Sequence, residues 1–301
     1  FAITAYQGRN LQFIPINFNK VSKLNNQDRK KQQVLKRMGS FGDLAFDSKS
    51  QLPKVDFSGL NQNKVHTPSW DVARNKVLRS LEDYGGFEVV YDKIGTEICM
   101  GLLGRAVPEL FAQNEDTELG NPTQVPLHGA WMYKEGFPFL GIQLANLDSE
   151  AAMEEHVNTI WPQGNTYFRN TVWNYAVQMQ EIILMIHRMI LQGLGLEHLY
   201  EPHIESLTYS MRFSKYCEKM SNNKNEIVLP PHKDPNYLSI ICQQNLDGLE
   251  VEASNGEWIH VSPLPNSFTV LLGESFMAWS NGRLKAQLTE LKWMGRRRDI
   301  L

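Results

Sequence analysis

The sequence has few cysteines, no long apolar run and no excess of positive charge, and each absence excludes a class of protein. Its three cysteines are widely spaced and form no CxxC pair, which argues against a disulfide framework and favours a reducing, cytoplasmic location. The most apolar stretch, 181–196, contains His187 and Arg188 and is shorter than the roughly 20 residues that a bilayer span needs. We therefore expect no membrane partner.

Composition and charge are those of an ordinary globular protein. Of the 301 residues, 42% are hydrophobic and 21% are charged, and the net charge is -3. A general nucleic-acid binder is usually basic, so we expect no nucleic-acid partner. The length allows one large domain or two small ones, each with a sizeable core.

Residues 1–37 differ from the rest of the chain. They are polar, rich in Asn, Gln, Lys and Arg, and the first methionine of the chain is Met38. One interpretation is a targeting extension, although the region has little serine for a transit peptide. The other is a spurious extension, translated from a leader or a neighbouring exon, with the true start at Met38. In both cases we expect 1–37 to hold little fixed structure.

Helical signals come first along the chain and strand signals follow. Thr67 and Pro68 are a typical N-cap and first helical residue, and they predict a helix through Leu81. Further helices are predicted over 94–111 and 167–192. From residue 206 onward, short apolar or alternating runs separated by turns predict an antiparallel sandwich or barrel. This order predicts an α+β protein whose second half is rich in β-structure.

The triplet His232-Lys233-Asp234 carries the candidate chemistry. On an extended strand, residues two apart point to the same side, so the imidazole and the carboxylate can face one cavity. Together they are two-thirds of a 2-His-1-carboxylate iron site. Taken alone the triplet is weak evidence, because most His-x-Asp triplets are surface polar residues.

The segments around this triplet make the evidence specific. The runs DGLEV (247–251), GEWI (256–259), SFTVLLGES (267–275) and AWSNGR (278–283) follow it in order, and WPQGN (161–165) precedes the long predicted helix. Together they resemble the plant iron(II)/2-oxoglutarate-dependent dioxygenases over about residues 52–286. The resemblance is strongest to the branch that contains glucosinolate alkenyl- and hydroxyalkyl-producing dioxygenases and deoxypodophyllotoxin synthase.

This resemblance implies a double-stranded β-helix, or jelly roll, with supporting helices. Residues 52–165 would be the family's amino-terminal region of helices and strands, and 166–286 its long helix and jelly-roll domain. The implied cofactors are Fe(II), 2-oxoglutarate as co-substrate, and O2. The implied function is oxidation of a small plant specialised metabolite, by a monomer whose partner is that small-molecule substrate.

The resemblance also assigns individual residues. His232 and Asp234 would be iron ligands, and we expect no catalytic residue beyond the metal ligands. Tyr216 matches a tyrosine that the family often places near 2-oxoglutarate, although a core aromatic is an equally good interpretation. His260 has no ligand counterpart in the family and is interpreted as structural, while His128 is a candidate for the substrate entrance.

The family pattern fails after Ala286. The family continues with His-Arg-Val, whose histidine is the third iron ligand, and then with an Arg-x-Ser whose arginine pairs with 2-oxoglutarate. This chain has no histidine after His260, and Thr289 lies near the expected place of the ligand. In one possible back-translation, a single base restored before Gln287 yields Pro-Thr-His-Arg-Val and later Arg-Tyr-Ser. We interpret 287–301 as an aberrant, frame-shifted tail that truncates the jelly roll at its last strands.

Two functional interpretations follow. The chain is an enzyme by family, a 2-oxoglutarate-dependent dioxygenase, but it is inactive or weakly active without its third iron ligand. The alternative is a non-catalytic jelly-roll pseudoenzyme or small-molecule binder, which would keep the fold and lose one ligand. We also expect the altered tail to leave sheet edges exposed.

Overall fold

The computed structural model describes residues 2–7, 51–113, 129–132, 139–216, 226–243, 247–253, 256–264 and 266–293. The expectations for His128, for 8–37 and for 294–301 lie outside these ranges. Within them, no helix has the length and apolar character that crossing a membrane requires.

The helices form where the capping residues predict. Thr67 accepts a hydrogen bond from the backbone N–H of Trp70 at the start of α1, and Gly85, with a φ of 64°, ends it three residues beyond the predicted end. Asn165 caps the long helix α5 in the same way. The helices are α1 (Pro68–Tyr84), α2 (Thr96–Gly101), α3 (Val107–Gln113), α4 (Glu150–Ile160), α5 (Thr166–Gly193), α6 (Tyr200–Glu205) and α7 (Glu274–Trp279).

The single helix predicted over 94–111 is instead divided. A π-helical turn, Leu102–Ala106, separates α2 from α3. The hydroxyl of Tyr167 donates to the carbonyl of Gly101, 3.3 Å away, where the helix widens. Side chains that bond the helical ladder are a common cause of such irregularities. Two short 3-10 helices, Gln62–Lys64 and Glu197–Leu199, complete the helical part of the described chain.

Two sheets contain the strands, and the α+β prediction is confirmed. One sheet has eight strands in the order β2-β3-β11-β8-β1-β6-β5-β4, and the other has four in the order β10-β9-β12-β7. The strands are β1 (Ala2–Gln7), β2 (Lys54–Asp56), β3 (Gly86–Val90), β4 (Gly129–Met132), β5 (Phe139–Leu144), β6 (Leu207–Tyr216), β7 (Glu226–His232), β8 (Leu238–Ile241), β9 (Leu249–Glu252), β10 (Trp258–Val261), β11 (Ser267–Leu272) and β12 (Thr289–Trp293).

Alternation along the strands divides the core into two layers. On β11, Val270 packs into the large cluster that includes the helices, whereas its neighbour Leu271 packs against Val251 and Ile259 of the smaller sheet. Successive residues of a strand face opposite sides of its sheet, so the eight-stranded sheet has helices on one face and the small sheet on the other. The candidate site lies between the two sheets.

Two described segments, Ala2–Gln7 and Thr289–Trp293, form strands that the sequence did not predict. The expectation of little fixed structure over 1–37 is wrong for Ala2–Gln7, which form β1 between β6 and β8. In the tail, Thr289–Trp293 form β12 between β9 and β7. At these two places the sheets are paired, so the exposed edges that we expected there are absent.

An ion-pair cluster holds β12 on the small sheet. Glu290 lies opposite Glu250, an arrangement of like charges that is unfavourable on its own. Lys292 donates to both carboxylates, and its ammonium is 2.8 Å from Glu290 Oε1. These bonds raise the pKa of Lys292. The tail therefore contributes complementary charges to the fold, whatever its origin.

Candidate active site

His232 and Asp234 lie side by side at the end of β7. His232 is the last residue of the strand and Asp234 is in the loop that follows, with Nε2 of the histidine 3.5 Å from Oδ1 of the aspartate. Their side chains are 39% and 24% exposed. His232 Nδ1 bonds the carbonyl of Pro230 at 2.9 Å, which leaves Nε2 as the nitrogen that faces Asp234 and could bind a metal.

Buried polar side chains fix the loop that carries Asp234. The hydroxyl of Ser239 donates to Asp234 Oδ2, and Asn236 Nδ2 donates to that hydroxyl oxygen at 2.8 Å. Ser239 is fully buried on β8. The backbone N–H of Glu274, the first residue of α7, donates to the backbone carbonyl of Asp234 at 2.7 Å. Ser239 on β8 therefore orients the carboxylate, and Glu274 on α7 holds the backbone of its loop. A metal ligand needs both kinds of support.

The two groups shift each other's protonation. The hydrogen bond to Asp234 raises the pKa of His232, against the opposing effect of burial. Burial pushes the pKa of Asp234 upward, but the bonds from His232 and Ser239 outweigh it, and the pKa of that carboxyl lies below its ordinary value. Each shift favours the charged form of its group.

A guanidinium that we did not single out from the sequence is close to this pair. Arg212 lies on β6, and its positive charge lowers the pKa of both His232 and Asp234. Its neighbours Met211 and Phe213 are fully buried in the core shared with the helices. Arg212 is half-buried and points to the opposite face, between the sheets. The alternation within 207–216 was the signal that could have identified it.

Thr289 lies across from His232. The two residues are direct antiparallel partners on β12 and β7, and directly opposed residues project on the same side of a sheet. The hydroxyl of Thr289 donates to the backbone carbonyl of His232 at 3.4 Å. Thr289 is also opposite Val251, a fully buried residue between the sheets. A histidine at this position would therefore project toward Nε2 of His232.

The other candidate residues from the sequence are Tyr216 and His260. Tyr216 is the last residue of β6, and its side chain lies outside the described part. His260 bonds Asp247 at 2.8 Å on the small sheet, in keeping with a structural role. No group of three or more His, Cys, Asp and Glu residues capable of holding a metal occurs in the described ranges.

We expect Gly273→Ala to disturb the site. A Cβ at Gly273 would lie 2.0 Å from the backbone oxygen of Asn236, within the loop that holds Asp234. Because backbone cannot yield as a flexible side chain does, we expect a loss of about 1–3 kcal/mol in the free energy of unfolding. Chemical denaturation at neutral pH measures this change.

Gly95→Ala is the matched control for that substitution. Gly95 has ordinary negative φ at the start of α2, and a Cβ there would meet nothing within 4 Å. The alanine should leave stability nearly unchanged. Equal midpoints for the two variants would show that the Asp234 loop is not held in this close contact.

Comparison with known proteins gives a consistent result. Residues 199–292 match the family model described as the 2OG-Fe(II) oxygenase superfamily. The chain is 33% identical over 239 residues to the probable 2-oxoglutarate-dependent dioxygenase AOP1.2 of Arabidopsis thaliana, covering 78% of this chain and 73% of the relative. It is 23% identical over 320 residues to the probable inactive dioxygenase AOP2 of the same plant, covering 78% and 79%.

A solved structure with the same fold is the 2-oxoglutarate binary complex of dioxygenase for auxin oxidation 1 from Arabidopsis thaliana. The superposition has a TM-score of 0.70 at 20% sequence identity, and it covers 82% of this chain and 88% of that one. At this identity the match establishes the fold alone.

Proposed function

The chain belongs to the 2OG-Fe(II) oxygenase superfamily, and on that premise we propose that it is a dioxygenase for a small plant metabolite whose iron site lacks one protein ligand. His232 and Asp234 would hold the iron. Thr289 lies opposite His232, where the third ligand is needed. This position of Thr289 is the single observation that carries the proposal.

The residues present fit iron in part. An imidazole nitrogen and a carboxylate oxygen are donors that non-haem iron(II) accepts, but a neutral threonine hydroxyl is a poor replacement for the second imidazole. The described residues therefore do not complete a 2-His-1-carboxylate site. When bound in a complete site, iron and 2-oxoglutarate supply the activation of O2. In this chain we expect that chemistry to be impaired.

Arg212 supplies the positive charge that an acidic co-substrate needs. It is close enough to the His232–Asp234 pair to lower the pKa of both groups. A planar guanidinium suits a carboxylate because two parallel hydrogen bonds can form. We infer that a carboxylate of 2-oxoglutarate pairs with Arg212, in place of the arginine that the family carries in its Arg-x-Ser.

The second candidate function is small-molecule binding without catalysis. It is favoured by the same missing ligand, and one relative is itself named as a probable inactive dioxygenase. The two candidates differ in turnover. A binder retains 2-oxoglutarate unchanged, whereas an impaired enzyme converts some of it to succinate.

Substituting Arg212 with Gln tests the binding part of the proposal. We expect the affinity for 2-oxoglutarate, measured by isothermal titration calorimetry, to fall about tenfold, because a charge-assisted hydrogen bond is worth roughly 1.5 kcal/mol or more. Exposed Arg79 on α1 provides the matched control, and Arg79→Gln should bind as the unmodified chain does. Equal affinity for all three proteins would exclude Arg212 as the carboxylate partner.

A further inference from the structure

Near the candidate site, a single strand, β1, joins the two halves of the eight-stranded sheet. β6 and β8 are not neighbours, since β1 lies between them and is antiparallel to both. All six residues of β1 are paired with β6, and Ala2–Ala5 are also paired with β8. Within the described part of the chain, the half of the sheet that contains β8 and the half that contains β6 are joined only through β1.

The two strands that flank β1 carry the residues of the site. Thr4 lies opposite Ser210 of β6 on one side and opposite Ser239 of β8 on the other. Ser239 is the residue that bonds Asp234. Ala2 is likewise opposite Arg212. β1 therefore sets the separation between the wall that holds Asp234 and the wall that holds Arg212.

Because β1 lies between them, β6 and β8 are two inter-strand distances apart, or about 10 Å. Without an occupant, backbone N–H and C=O groups on both strands would lose their partners. These groups lie in the interior, because Ser210 and Ser239 are 4% and 0% exposed. Unpaired buried backbone groups cost free energy. Strands with an open edge bind an extended peptide that pairs with these groups.

The sequence of β1 suits such a position. Ala-Ile-Thr-Ala-Tyr-Gln has no proline, glycine or charged residue, so every residue has an N–H and none carries a charge into the sheet. Proline is excluded from central strands, and Ile, Thr and Tyr are strand-favouring residues.

We propose that the space between β6 and β8 is a strand-acceptor site for an extended peptide, and that Ala2–Gln7 of the same chain occupies it. Ala2–Gln7 are then an integral part of the eight-stranded sheet. This proposal does not depend on the proposed function, because it concerns strand pairing and not metal or turnover.

The test is hydrogen exchange on the full chain with Thr4→Pro and Thr4→Val. Proline removes an N–H from the centre of β1, whereas valine preserves the backbone and the strand preference. In the proline variant we expect amides of β6 and β8 to exchange on the order of 100-fold faster, because their partner strand is displaced. Amides of β9 and β10 in the other sheet are the internal reference, and the valine variant should match the unmodified chain.

A second experiment uses the acceptor site directly. A chain that begins at residue 8 is mixed with a synthetic peptide of residues 1–8, and with a scrambled peptide of the same composition. We expect only the native peptide to bind, with 1:1 stoichiometry, and to restore protection of β6 and β8. If the shortened chain does not fold, the two Thr4 variants of the full chain decide.

Two results would overturn the proposal. Unchanged protection of β6 and β8 in the proline variant would mean that these strands do not depend on β1. A dimer of the unmodified chain that exchanges residues 1–8 between copies, detected by light scattering and by crosslinking, would make a second copy the occupant instead of the same chain.

Discussion

Replacing Thr289 with histidine is expected to raise the affinity for iron(II) by roughly 100-fold or more. Thr289 is the direct antiparallel partner of His232, so the new imidazole would project on the same side as His232 and Asp234. A third strong donor changes a two-ligand site into a 2-His-1-carboxylate site. Even outer-shell changes at metal sites alter affinity by about 10–100-fold, so a direct ligand should have at least this effect. Anaerobic titration with iron(II), or with cobalt(II) as a spectroscopic probe, measures the change.

The matched control is Glu290→His, which adds the same imidazole one residue further along β12. Successive residues of a strand face opposite sides, so this histidine would lie on the other face of the small sheet, with Glu250 and Lys292. We expect no gain in affinity. If both histidine variants bind iron as weakly as the unmodified chain, Thr289 does not lie at the third ligand position.

Acidification is expected to destabilise the fold through a buried pair of histidines. His187 on α5 and His203 on α6 share a hydrogen bond of 2.8 Å, and both are buried. Their surroundings are the rings of Tyr237, Phe276 and Trp279, none of which offers a compensating negative charge. Burial therefore lowers the pKa of His203 to about 4 and lowers that of His187 well below its usual value.

The sign of the effect follows from proton binding. In the unfolded chain both histidines titrate near 6.5, whereas in the fold they remain neutral to lower pH, so the unfolded state binds more protons as the pH falls. The stability that this pair contributes is complete above about pH 6.5 and is lost progressively toward pH 4. For His203 alone, each pH unit below 6.5 removes about 1.4 kcal/mol, or roughly 2 kcal/mol by pH 5.

Denaturant unfolding at pH 7 and pH 5 measures this loss. Because carboxylates also titrate in acid, the comparison is with His203→Gln, which keeps a polar side chain but cannot gain a proton. The variant should lose less stability than the unmodified chain between these pH values, by roughly 2 kcal/mol. Exposed His198→Gln is the control and should retain the full loss. The same pH dependence in all three proteins would contradict this role for the buried pair.

Local signals in the sequence predicted much of the fold. Thr67, Asn165 and the glycine after α1 act locally, and the helices they delimit were predicted to within a few residues. Period-2 alternation is equally local, and β6, β10 and β11 lie in the strand-rich part that was predicted from residue 206 onward. In contrast, α4 was missed, although Ser149 caps it by accepting from the N–H of Ala152.

Pairing between distant segments could not be predicted in this way. β1 and β12 form because sheet partners far along the chain supply their hydrogen bonds, which composition does not reveal. The polar character of 1–37 as a whole concealed the six residues of β1, of which Ile3, Thr4 and Tyr6 favour strands. For the same reason, the sequence predicted His232 and Asp234 from one motif but did not identify Arg212, whose relevance depends on β6 facing β7 across the interior.

Succinate formation from 2-oxoglutarate by the unmodified chain, supplied with iron(II) and oxygen, tests the central claim that the iron site lacks a ligand. We expect a small amount of succinate above the level of a His232→Ala control, and much less than the Thr289→His variant forms, because two protein ligands hold iron poorly. Succinate production by the unmodified chain at the rate of the Thr289→His variant would show a working iron centre, and would contradict the claim that Thr289 leaves the site incomplete.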